Sequence, residues 1–473
     1  MTSLQHIDET LKRMKNAVRD GSKSGAVVPL FETLFESQSD QYTYRHLAEF
    51  LAYLAATPKG TMDGCYGEWE ELVYQDNLDC RIPSPSTVMQ HLYKFEEEPL
   101  PPNLSFNDRA MWHAVDGILR LVFQCSQDLF DLGDGQFYVS LDITPMRFFG
   151  EIIEEFRDGK WYVVEVKSPS AKTATAQYTT TDGQTKQTFE DTRWGHSYLV
   201  MCAHHWKTKI SFPLAIRYVG DFNRDTEGLI TDMLNVLRKY PRPSWIMADR
   251  GFCNTAVTNL LKAFCDEKPG ATHFLIPMKH QREREDDEEP LDSQRRTPRQ
   301  LGREKSDGST KIDDQPDVAF APADWSWSKT PKITHQLVFF YRQKREAGQA
   351  TEYDIDAADM NLDKDLITTM FITNKVVTKD NAALVYGLYG GRWAIEILFK
   401  RHKRNAARCP AQTEYMRFLS FALSQVVYGC YGLWRWNRCQ RMELSFDDRQ
   451  IREARYLLGL RTEVAPKAVE VAA

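Results

Sequence analysis

Two short apolar runs that each end in an aspartate constrain this chain most. Residues 137–143 read FYVSLDI and residues 244–249 read SWIMAD, so Asp142 and Asp249 close segments that are otherwise β-prone. Their β-branched, aromatic and apolar content predicts two buried strands. A buried strand end normally excludes a carboxylate. In an α/β sheet, an aspartate at a strand end points into the crevice where ligands bind. For either aspartate taken alone, the competing reading is a turn or cap residue.

The flanking pattern agrees with an α/β sheet. Residues 161–167, 197–205, 210–219, 335–342 and 366–374 read as further strands. Residues 224–240 place Leu229, Ile230, Met233, Leu234 and Leu237 on one helical stripe, and 254–264 form another helix candidate. Residues 168–190 are rich in Ser, Thr and Lys without a clear period. Residues 281–317 hold 8 Lys/Arg and 12 Asp/Glu with little that is apolar, which predicts an exposed or disordered loop. Residues 381–437 read as helical, and 463–473 as a disordered tail.

The first 130 residues read as helices. Leu47, Phe50, Leu51 and Leu54 recur at helical spacing, and 68–78 form a second candidate. A third is predicted to start at Pro85 with Ser84 as its cap, turning Val88, Leu92 and Phe95 inward. Such a helix reads either as the reading helix of a helix-turn-helix or as structure alone. Residues 1–95 carry 9 Lys/Arg against 13 Asp/Glu, which weighs against a DNA-reading role.

Composition excludes several classes. The chain has 473 residues, 42% of them hydrophobic, and a formal charge of −6, as in a soluble globular protein of two to four domains. No window of about 20 residues is free of polar side chains, so no membrane partner is expected. The most apolar stretch, 418–434, carries Ser420, Ser424 and Gln425 and reads as a buried helix. The N-terminus lacks an apolar signal region. The nine cysteines are odd in number and none are spaced as CxxC, which predicts reduced core thiols and a cytoplasmic protein.

Charge is informative locally. Residues 386–441 hold ten Lys/Arg and only Glu396 and Glu414 as acids, a net of +8 that suits a polyanion partner. Within this block, Tyr389, Arg392, Glu396, Lys400 and Lys403 fall on one helical face, while Ile395, Leu398 and Phe399 are left to pack on a sheet. A solvated face with a Glu396–Lys400 pair is the plainer reading, but it leaves Tyr389 and Arg392 on that face unexplained.

Tyr389, Arg392, Glu396 and Lys403, in that spacing, resemble the Y-R-E-K signature of insertion-sequence DDE transposases. DITPMRFFG around Asp142 resembles that family's first aspartate block, and ADRGF around Asp249 its second. The resemblance spans about 135–440 and implies an α/β fold, an RNase-H-like mixed sheet flanked by helices. The 147 residues from Asp249 to Glu396 match members whose core is interrupted by a β-rich insertion. The implied organisation is a helical N-terminal domain at 1–130, a candidate for DNA-end binding. The first part of the catalytic core follows at 131–274. The insertion occupies 275–376 and includes the charged loop 281–317. Core helices carrying Glu396 occupy 377–445, and 446–473 is a C-terminal tail.

The resemblance also implies chemistry. Asp142, Asp249 and Glu396 would hold two Mg²⁺ ions, with Mn²⁺ as a substitute, for cleavage at element ends and strand transfer into target DNA. Arg392 and Lys403 would hold flanking phosphates, and Tyr389 would bond a phosphate or stack on a base. Lys400 and Arg250 are further DNA-contact candidates. Trp325 and Trp327 are candidates for holding a flipped base, against simple packing. The implied partners are double-stranded DNA, as inverted-repeat ends and target, and a second copy in a synaptic homodimer, which would associate with the nucleoid. The alternatives are a transposase-derived DNA-binding protein without transposition, or a related DDE nuclease. His204 and His205 are adjacent on a predicted strand, so they do not read as a metal pair. Gly387, Gly390 and Gly391 lack a nucleotide-loop pattern and suggest close DNA approach or a helix start.

Overall fold

The computed structural model describes residues 4–35, 43–57, 62–75, 82–93, 110–130, 132–147, 152–157, 160–166, 177–179, 185–187, 195–206, 210–219, 222–278, 299–300, 303–304, 310–311, 318–326, 333–343, 366–390, 414–442 and 453–465. In chain order the N-terminal part holds α1 (Leu4–Asp20), α2 (Ser24–Glu32), α3 (Tyr44–Ala56), α4 (Met62–Gln75), α5 (Pro85–Tyr93) and α6 (Ala110–Phe130). Strands follow: β1 (Phe137–Arg147), β2 (Ile152–Arg157), β3 (Lys160–Val166), β4 (Gln177–Thr179), β5 (Thr185–Gln187), β6 (Gly195–His205) and β7 (Ser211–Val219). Next come α7 (Phe222–Leu237), β8 (Trp245–Ala248), α8 (Thr255–Asp266) and β9 (His273–Pro277). Then come β10 (Arg299–Gln300), β11 (Arg303–Glu304), β12 (Thr310–Lys311), β13 (Val318–Ser326), β14 (Thr334–Gln343) and β15 (Leu366–Thr373). The chain closes with α9 (Lys379–Gly390), α10 (Glu414–Met442) and α11 (Glu453–Val464).

Two compact units result, Met1–Gly133 with Ile143–Asp225 and Glu396–Ala473, and Asp134–Asp142 with Thr226–Ile395. The first unit groups the N-terminal helices with later segments.

In the first unit the N-terminal helices form as the sequence predicts. Thr43 caps α3 in a capping box with His46. The Ser84 hydroxyl accepts the Thr87 amide at 3.2 Å, and Val88 is buried; Phe95 and the side chain of Leu92 lie outside the described residues. The antiparallel pair β6–β7 is covered by α6 and by α10, the apolar helix, where Tyr198 stacks on Phe421 at 4.8 Å. Arg217 of β7, almost fully buried, makes a two-pronged ion pair with Asp116 of α6 at 2.9 and 2.6 Å. Residues 453–464, read as tail, form α11, whose Tyr456, Leu457, Leu460 and Val464 are buried. The irregular stretch 168–190 contains the short hairpin β4–β5.

The second unit is built on a mixed seven-strand sheet in the order β10-β13-β14-β15-β9-β8-β1. Strands β1, β8 and β9 run parallel, with α8 as the crossover from β8 to β9. The remaining pairs are antiparallel, so the β-rich insertion continues the same sheet outward from β9 through β15. The fold is thus the expected α/β class, a mixed sheet flanked by helices with a helical N-terminal region. Most of the charged stretch 281–317 lies outside the described residues.

Candidate active site

The site is built on strand register. In the parallel pair β1–β8, Tyr138 lies opposite Trp245, Ser140 opposite Met247 and Leu141 opposite Ala248. One residue further on each strand stand Asp142 and Asp249, both half-buried. Neighbouring strands lie about 4.8 Å apart, and side chains two residues apart share a face. The two aspartates therefore stand side by side on the face of Ser140 and Met247. Asp249 lies just past the end of β8, whereas Asp142 sits midway along β1, which continues to Arg147 instead of ending at the aspartate as the sequence suggests. The apolar strand bodies hold them there, since Leu141, Ala248, Ile246 and Met247 are all fully or almost fully buried.

Asp249 also does what the plainer reading expects of it. Its Oδ1 accepts the Arg250 amide at 2.7 Å, capping the 3₁₀ turn Arg250–Phe252. The Arg250 side chain is exposed. The sequence reading did not anticipate this amide–carboxylate contact, and the signal for it is the Asp-Arg-Gly-Phe turn sequence itself.

Register also sorts the other candidates. Leu275 pairs with Met247, Pro277 with Phe371, and the Tyr389 ring of α9 packs edge-on against Phe371 at 4.9 Å. Counting in twos, Phe371 lies on the aspartate face, so Tyr389 covers the same face as Asp142 and Asp249. His335 lies on the opposite face, where its Nε2 meets Asn259 of α8 at 3.2 Å. Position 325 pairs with His335 in the backbone register, and the Trp325 side chain lies outside the described residues. Arg392, Glu396, Lys400, Lys403 and Trp327 lie outside the described residues, as does Gly391. Gly387 and Gly390 sit within α9 and at its end, not at a helix start.

The opposite end of the parallel strands is chemically different. There His273, at the start of β9, meets the Lys375 ammonium at 3.3 Å and packs against Trp245. Burial, with the neighbouring Lys375 charge, pushes its pKa down to about 4, so it stays neutral. His204 and His205 do not form a metal pair: the first bonds Ser211 at 2.7 Å and the second stacks on Trp436 at 4.9 Å.

Two carboxylates abreast are hard oxygen donors and fit a hydrated divalent cation such as Mg²⁺. Among the described residues no group of three His, Cys, Asp or Glu side chains is arranged to hold a metal ion. Nor is any described helix long and apolar enough to cross a membrane.

Residues 169–418 match the family described as the transposase DDE domain. The match spans Asp249, Tyr389 and Glu396 and begins downstream of Asp142. With more than half its length in that match, the chain belongs to the DDE transposase family. It is a DNA transposase, an enzyme of a class that cleaves and joins DNA with divalent metal ions. A similar solved structure is a piggyBac transposase synaptic complex with hairpin DNA, 10% identical, covering 98% of this chain and 78% of that one at a TM-score of 0.44. No curated protein matches the chain.

Proposed function

We propose that Asp142 and Asp249, completed by Glu396, form the catalytic centre for cleavage at the element's ends and for strand transfer into target DNA. The parallel register of β1 and β8 carries this reading, because it brings two carboxylates 107 residues apart onto one face of neighbouring strands. Asp142, Asp249 and Glu396 would hold two Mg²⁺ ions, for which Mn²⁺ can substitute. Bound there, the metal polarises the phosphoryl oxygens and makes water or a 3′-hydroxyl a stronger nucleophile.

The chain's own groups position the DNA. Arg392 suits a two-pronged phosphate contact and Lys403 a point charge on the next phosphate. Tyr389 shares the aspartate face and is offered to a base or phosphate beside the scissile bond. Lys400 and the Arg250 side chain add positive charge along the backbone. Trp325 and Trp327 are offered to a flipped base. The partners are double-stranded inverted-repeat ends, target DNA and a second copy of the chain, since two ends must be held together. The five-part division read from the sequence is proposed as the functional one, with 1–130 binding the ends.

The test is Asp142→Asn on duplex DNA carrying the sequences that flank the reading frame. Cleavage should fall by at least about 10³-fold, the scale of losing an essential catalytic group, while DNA affinity stays unchanged. Cleavage at the wild-type rate would contradict the assignment.

A further inference from the structure

The 3₁₀ turn after Asp249 is pinned from both sides. Upstream lies the buried strand β8; downstream the Asn254 side chain accepts the Val257 amide at 3.0 Å and starts α8. Between them the Phe252 amide bonds the Asp249 carbonyl at 2.9 Å, the Cys253 amide bonds the Arg250 carbonyl at 3.1 Å, and the Phe252 ring is buried. The direction of the Arg250 N–H is therefore set by the backbone and by no side-chain rotamer. At 2.7 Å from Oδ1 it makes a charge-assisted bond. A carboxylate is planar, so fixing one oxygen leaves the other a restricted arc.

We propose that the main-chain amide of Arg250 is a positioning group for metal binding: it holds Oδ1 of Asp249 and leaves Oδ2 as the metal-facing oxygen. This rests on the reading of Asp249 as a metal ligand. It separates two jobs at one residue, the amide orienting the carboxylate and the exposed guanidinium facing DNA.

Proline can delete that amide with little disturbance of the turn. The residue before a proline must be extended, and Asp249 already has φ −73° and ψ 162°. The first position of a helical turn also accepts proline. The experiment is Mn²⁺ titration of the full chain, followed by electron paramagnetic resonance, for wild type, Asp249→Asn, Arg250→Ala and Arg250→Pro, with thermal unfolding as a check on folding. Arg250→Ala keeps the amide and should retain wild-type Mn²⁺ affinity. Arg250→Pro should lose about tenfold, the scale of removing a group that orients a ligand, at an unchanged unfolding midpoint. If Asp249→Asn weakens Mn²⁺ binding and a folded Arg250→Pro does not, the positioning role is overturned while the metal reading stands. If Asp249→Asn leaves Mn²⁺ binding unchanged, the metal reading fails and this role with it. Should Arg250→Pro fail to fold, an α-hydroxy acid at position 250 replaces the N–H by an ester oxygen, and its Mn²⁺ affinity decides by the same criterion.

Discussion

Glu463 and Asp116 of the helical unit and Asp249 of the sheet unit use their carboxylates in opposite ways. Glu463, on α11, is enclosed by the start of α2. Its Oε2 accepts the Lys23 and Ser24 amides, both at 2.8 Å, and the Ser24 hydroxyl at 3.0 Å, while Oε1 takes the Lys23 ammonium at 2.8 Å. Asp116 commits both oxygens to Arg217. Such acids have their lone pairs occupied by protein donors, and they hold helices and strands together. Asp249 gives Oδ1 to a single backbone amide at a strand end. An acid whose lone pairs are saturated by cations and amides is a fastener; one held by an edge at a strand end is able to take a cation from solution.

Breaking the fasteners should cost stability. Arg217→Met removes the cation to which both Asp116 oxygens are bonded, in a site where Arg217 is 2% exposed. That should destabilise the chain by about 3–5 kcal/mol, and adding Asp116→Leu should recover most of it. Chemical denaturation of the single and double variants checks both. A single variant as stable as wild type would remove the distinction drawn above.

Glu463→Gln should have a smaller effect, about 1–2 kcal/mol, since hydroxyl and amide donors can still bond the neutral side chain. Its pH dependence has a defined sign. Burial alone would raise the Glu463 pKa, but the Lys23 ammonium and the Ser24 and Lys23 amides outweigh it, and the net shift is downward. A carboxylate with a depressed folded pKa contributes stability above its unfolded value. That contribution fades as pH falls from the ordinary glutamate range through the folded pKa. Wild type and Glu463→Gln should therefore converge in unfolding midpoint on acidification below the ordinary glutamate pKa. A gap that stays constant with pH would contradict the clamp.

Much of the sheet unit was legible in the sequence. Strand periodicity and an out-of-place carboxylate pick out β1 and β8, and the Tyr389 pattern picks out the helical block. The parallel pairing of those strands was not legible, because register between segments 107 residues apart is decided by packing. The helix α11 was missed for a related reason. Tyr456, Leu457, Leu460 and Val464 do repeat at helical spacing, but the stripe is short. Its anchor, Glu463, finds partners some 440 residues away. Gly459 belongs to the same contact: a Cβ there would come within 2.5 Å of the Lys23 side chain.

The central claim is that Asp142, Asp249 and Glu396 share one metal centre. Replacing Mg²⁺ by Fe²⁺ and adding ascorbate and peroxide generates hydroxyl radicals at the metal, which cut the polypeptide beside its ligands. Three clusters of cuts, around residues 142, 249 and 396, all suppressed together by excess Mg²⁺, are the expected result. Cutting confined to one of these segments, or at positions remote from all three, would contradict the account.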